Sequence, residues 1–182
     1  MCQPRLYRLT AVIGIFVLGA AAMPATAQAV SDYQVKAAYL FNFAKFIEWP
    51  AQAFANPTQA IHFCVWDDPL FESELQRIVS GKSIGRHVAV VERVRDADSA
   101  RHCHLLFIPA TTGRQTRHVL DNLRGSSVLT AGESERFLRD GGMINFMLEN
   151  QRVRFEINHK ATAAAGLTVS ARLLSLARGV SE

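Results

Sequence analysis

In 182 residues, 20 Lys and Arg stand against 16 Asp and Glu, and no basic cluster interleaved with aromatics marks a nucleic-acid groove. Nearly half the residues are hydrophobic, enough for a chain of this size to close a core without a metal or several crosslinks. Cys64 and Cys103 lie 39 residues apart, which excludes the closely spaced pair of a thiol oxidoreductase.

The N-terminus reads as an export signal. Arg5 and Arg8 make a positive start, Thr10 to Met23 is an apolar run, and Ala25-Thr26-Ala27 offers small residues for cleavage before Gln28. The run falls well short of the ~20 residues that span a bilayer, so a cleaved leader at 1–27 is expected rather than a membrane anchor. With Arg5 and Arg8 gone, 18 basic residues face 16 acidic ones, a net charge of +2. Residues 28–182 then form one expected domain with no linker or repeat to divide it.

Ser31 or Asp32 caps a predicted helix running to about Ile47, ended by Pro50. Ile61 to Trp66 reads as a buried strand, and Asp68 caps a helix from Pro69 to about Val79. His87 to Val94 is a second strand, Asp96 to Arg101 a helical turn, and Cys103 to Ile108 a third strand. A helix at 112–123, a strand at 127–130 and a short helix at 134–139 follow. Strand and helix in alternation predict an α/β fold, a three-layer sandwich with a mostly parallel sheet and helices on both faces. Met143 to Leu148 and Val153 to Ile157 flank a four-residue polar turn, so the sheet is expected to finish in an antiparallel hairpin. Thr168 caps a predicted last helix whose stripe of Val169, Leu173, Leu176 and Val180 faces the core.

No constellation for catalysis emerges. Ser80-Gly81-Lys82-Ser83 resembles the end of a phosphate-binding loop, but Gln76 stands where its first glycine belongs. There is no G-x-S-x-G elbow. Glu72 with Glu74, and Glu133 with Glu135, are spaced to point apart on their helices. His102 and His104 flank Cys103 on one strand face, whereas His62 alternates with Cys64, and if the cysteines bond, that face is opposite. Two converging histidines are too few for zinc, so neither metal nor cofactor is expected. Cys2 leaves with the leader, so the exported chain keeps Cys64 and Cys103, an even number in an oxidising compartment. They form either a structural disulfide or two buried thiols, and the compartment favours the bond.

The stretch Val35-Lys36-Ala37-Ala38-Tyr39-Leu40-Phe41-Asn42-Phe43-Ala44-Lys45-Phe46-Ile47-Glu48-Trp49-Pro50 resembles the opening of the YfiR-like periplasmic family. Asn42, Lys45 and the Glu48-Trp49-Pro50 end are more than an apolar helix requires. Gly141-Gly142-Met143, Arg154 to Asn158 and Leu167 to Arg178 are similar to that family's closing blocks in order and spacing.

The resemblance implies a periplasmic, non-catalytic repressor with an α/β sandwich fold, commonly dimeric. Such a repressor binds the periplasmic sensor domain of an inner-membrane diguanylate cyclase and lowers cyclic di-GMP and biofilm formation. It also matches Cys64 and Cys103 to a family cysteine pair. A second pair carried by some members is missing here, since 143–151 contains no cysteine. Phe43, Trp49 and Leu174 are the expected partner or dimer surface. The rival reading is a periplasmic module that binds a small ligand in a crevice at the carboxyl ends of the strands.

Overall fold

The computed structural model describes residues 31–181, so the leader expected at 1–27 lies outside the described residues. The Ser31 hydroxyl accepts from the Gln34 amide and starts α1 (Asp32–Ala44), whose Ala37, Leu40, Phe41 and Ala44 recur at helical spacing and are buried. The helix stops earlier than its apolar pattern suggests. Ile47–Glu48 (β1) leaves it to pair, antiparallel, with Val169 and Thr168 from the far end of the chain.

The next elements follow the predicted rhythm. β2 is Ile61–Trp66 and α2 is Pro69–Val79, whose first amides are capped by the Asp68 carboxylate. A two-residue strand, β3 (Ser83–Ile84), hairpins into β4 (His87–Val94). A 3-10 turn at Ser99–His102 leads to β5 (Leu105–Ile108), then α3 (Gln115–Asn122) and β6 (Leu129–Gly132). The short helix expected at 134–139 is a run of turns. Its Phe137 ring lies between Gly132 and Gly142 so closely that a side chain on either would overlap it. That contact gives Gly142 of the Gly-Gly-Met block a physical reason.

The predicted hairpin is β7 (Ile144–Glu149) and β8 (Arg152–Asn158). Asn150 and Gln151 both have positive φ, 51° and 60°, as the two-residue turn that matches strand twist requires. The end of the chain differs from expectation. A short α4 (His159–Ala164) precedes β9 (Thr168–Val169), α5 spans only Ala171–Leu176 with Ser170 as its cap, and β10 is Gly179–Ser181. Of the predicted stripe, Leu173 and Val169 are buried, whereas Leu176 and Val180 are exposed. Val169 and Val180 are drawn into strands, because β1 and β8 offer them open backbone partners.

The main sheet runs β10-β8-β7-β6-β5-β2-β4-β3, mostly parallel, with antiparallel pairs at β7/β8 and β3/β4. β10 adds one parallel strand outside the predicted hairpin. One face packs on α1 and α2 through Phe43, Phe63, Phe71, Phe107 and Phe146, and the other packs on α3 through Val119, Leu120 and Leu123. This is the three-layer α/β sandwich the alternation implied.

Candidate functional site

The blocks that carry the family resemblance lie at opposite ends of the chain and meet in space. Glu48 faces Thr168 and Ile47 faces Val169 across β1 and β9, and the Ser170 amide donates to the Phe46 carbonyl at 2.9 Å. The motif residues have separate tasks. Lys45 Nζ donates to Asn42 Oδ1 at 3.1 Å and sits 4.4 Å over the Phe41 ring, closing the last turn of α1. Pro50 leads into a 3-10 turn at Ala51–Ala53, and Glu48 is exposed. Trp49 is half-buried, and its indole N–H donates to the His104 carbonyl at 3.3 Å.

Of the three residues expected on a docking surface, Phe43 is not on one. It is 1% exposed, with Phe155 at 4.8 Å, Phe146 at 5.7 Å and Tyr39 at 5.7 Å between ring centroids. The buried face of α1 is broad, running from Phe43 through Leu40 and Ala44 to Phe41, and it takes Phe43 into the core with them. Trp49 and Leu174 are half-buried and flank the β1/β9 ribbon together with Phe46, over which Arg172 lies at 5.6 Å. The ribbon thus presents a mixed apolar and basic surface built from both ends of the chain.

The second concentration of chemistry surrounds the Cys64–Cys103 disulfide, whose Cα atoms are 5.9 Å apart. His62 was expected on the opposite face from His102 and His104. Instead its ring stacks on His104 at 5.7 Å and meets His102 edge-on at 5.5 Å. Side-chain alternation holds only along extended chain, and here the strand begins at Leu105 after a 3-10 turn and a bend at His104. Glu92, which sequence reasoning passed over, joins them: one carboxylate oxygen takes His62 Nδ1 at 2.5 Å and the other His102 Nε2 at 2.8 Å. The signal that could have found it is an acid inside the apolar run Val88 to Val94. Burial pushes the Glu92 carboxyl up, but the hydrogen bonds and charge of His102 and His62 hold it below the usual carboxylate range.

His104 has a different role. It is 1% exposed; its Nδ1 accepts from the His62 amide and its Nε2–H donates to the Ala53 carbonyl, each at 3.1 Å. Both ring nitrogens are used by a neutral imidazole, and a second proton would break the bond at Nδ1. Burial, reinforced by the neighbouring charge of His62, lowers its pKa from the usual 6.5 to about 4. Between those values the unfolded chain binds a proton that the folded chain refuses. His104 therefore leaves stability whole above about pH 6.5 and subtracts up to about 3 kcal/mol as the pH falls toward 4. Urea midpoints measured at pH 7 and pH 4.5 should show this loss in the wild type, and a His104→Gln protein should show a shallower pH dependence.

The carboxyl ends of the strands carry the third group. Tyr33 Oη donates to Asp68 Oδ2 at 2.9 Å, and burial together with that carboxylate pushes its pKa up to about 12. Lys36, also buried, pairs with Glu133, which accepts from the Ala110 amide at 3.3 Å as well. The first turn of α1 is thereby tied across the ends of β2, β5 and β6, where open α/β sheets place ligands. Beside it a crevice of about 710 Å³ remains, bordered by Arg114, Arg117, Glu133, Arg136 and Asp140.

Among the described residues no helix is long and apolar enough to cross a membrane. Two solved structures are similar in fold. One is the ABC domain from Streptococcus pneumonia in complex with L-Trp, at TM-score 0.53 and 9% identity over 79% of this chain. The other is a conserved domain protein from Vibrio cholerae O1 biovar El Tor, at TM-score 0.55 and 9% identity over 83% of this chain. This chain spans about 60% of the length of each. At such identities the likeness shows the fold alone, and the L-Trp is a property of that complex. Comparison with curated proteins gives no match. A family model described as YfiR/HmsC-like matches residues 33–178, from the first turn of α1 to the residue before β10. The chain whose two ends meet at β1 and β9 therefore belongs to the YfiR/HmsC-like family of periplasmic regulators.

Proposed function

We propose that this protein, cleaved after Ala27 and working in the periplasm as a single domain over 28–182, binds the sensor domain of an inner-membrane diguanylate cyclase. It holds the cyclase in its inactive form, so that cyclic di-GMP output and biofilm formation stay low, and it does so without catalysis. The family match over 33–178 carries this reading. The joining of the family's opening and closing blocks at β1 and β9 supports it further, and the proposed docking surface includes the half-buried Trp49 and Leu174. A homodimer is part of the proposal, and light scattering of the purified protein tests it.

Such a repressor shifts its partner only by the difference in its affinity for the two states. The direct test is binding of the purified protein to the periplasmic domain of an inner-membrane diguanylate cyclase from the same cell, together with cyclic di-GMP levels in cells. Half-buried aromatic anchors commonly contribute about 2 kcal/mol or more, so Trp49→Ala or Leu174→Asp should weaken binding by about 30-fold. Wild-type protein that leaves the sensor unbound near 100 μM (about 5 kcal/mol) would remove the reading.

A second reading rests on the crevice bordered by Arg114, Arg117, Glu133, Arg136 and Asp140, whose volume suits a small polar ligand. A thermal-shift screen with charged metabolites separates the two, because a ligand there should raise the melting temperature in wild type and not in Arg117→Ala.

A further inference from the structure

We propose that His62, Glu92 and His102 form a binding site for a divalent transition-metal ion of the zinc class, with the remaining coordination position open to water. The inference is independent of the cyclase reading. Its basis is the donor set and the way the fold holds it. One ring nitrogen of His62, one of His102 and a Glu92 oxygen all lie within 4.8 Å of one another. Two imidazoles and one carboxylate are a donor set that leaves an open position on zinc, with metal–ligand distances near 2.0–2.1 Å. An ion bound among these atoms would replace the two hydrogen bonds that now join each imidazole to the carboxylate.

All three donors stand on rigid supports. His62 lies on β2 and Glu92 on β4, and Glu92 is the register partner of Cys64. His102 ends the 3-10 turn, and its chain neighbour Cys103 is bonded to Cys64. The disulfide therefore pins the third ligand above the two strand ligands, so little conformational freedom is left to lose when the ion binds. The His62 ring is held from behind by stacking on His104, whose own ring is fixed at both nitrogens. Support of this kind orients metal-binding imidazoles elsewhere. The His102 and Glu92 side chains are 47% and 39% exposed, so an ion and its water can reach the donors from solvent. Imidazole and carboxylate together favour zinc, nickel or copper over magnesium or calcium.

The test is calorimetric titration of the oxidised, signal-cleaved protein with Zn²⁺, with circular dichroism as the check on folding. One ion per chain should bind with a Kd tighter than about 10 μM. His102→Ala removes an exposed ligand at little risk to the fold and should weaken binding by about 100-fold or more, as should Glu92→Gln. His159→Ala, which removes a histidine from a different element, should leave the affinity unchanged. X-ray absorption of the zinc-loaded protein should report two imidazole nitrogens. A titration flat to 1 mM (about 4 kcal/mol of binding at most) would overturn the proposal. Equal loss in His159→Ala and His102→Ala, or sulfur in the zinc shell, would overturn it as well.

Discussion

Phe43→Ala should lower the free energy of unfolding by about 3–5 kcal/mol and leave no surface defect to explain the loss. The ring is at the centre of an aromatic cluster in which Tyr39, Phe146 and Phe155 surround it and Phe107 touches Phe146. Alanine would open a cavity between α1 and the β7/β8 hairpin, elements that come from opposite ends of the chain. The strands cannot collapse into that space, since β7 and β8 are held in register by a full ladder and flanked on both sides. Transfer of the ring to water and the remaining cavity therefore add. Urea unfolding at pH 7 measures the loss. Trp49→Ala, at a half-buried site, should cost clearly less. If the two variants lose the same stability, the contrast between a buried Phe43 and a half-buried Trp49 is wrong.

Replacing both cysteines, Cys64→Ser with Cys103→Ser, should cost about 4 kcal/mol by the chain-entropy relation for a closed loop of this length. That is a large share of the ~5–15 kcal/mol by which domains of this size are stable. The bond lies against Trp66, Val94, Ala100 and Leu106 on the α3 face, so serine hydroxyls would also be buried among apolar groups. The urea midpoint of the double variant reads the sum. The repression of cyclic di-GMP proposed above should weaken in proportion to the folded fraction lost. A melting temperature unchanged from wild type would show that the crosslink contributes nothing to stability.

Much of the fold was legible in the residues. β2, α2 and β4 begin and end where proline, aspartate and apolar runs place them, because their signals are local: a cap at Asp68, proline in the first turn, and apolar runs along the strands. The hairpin at Asn150-Gln151 was equally plain, since a short polar turn between two alternating runs leaves few other pairings. The last helix misled for a physical reason. Val169 and Val180 match a helical stripe and a strand equally well, and the choice depends on partners more than a hundred and about twenty residues away, Ile47 and Ile157. The site was legible only in part. The blocks that carry the family resemblance were found at both ends of the chain, but nothing in one dimension shows that they touch.

Local pattern alone determined the α/β class and the mostly parallel sheet, and the resemblance of the opening and closing blocks carried the family. Those properties depend on spacing along the chain, which the residues state directly. Only the tertiary structure decided that Phe43 faces inward, that His62 and Glu92 join His102, and that β1 and β9 zip the two ends together. Each of those outcomes turns on which of two chemically equivalent faces or edges meets a neighbour, and burial of the larger apolar area with its backbone bonds paired makes that choice.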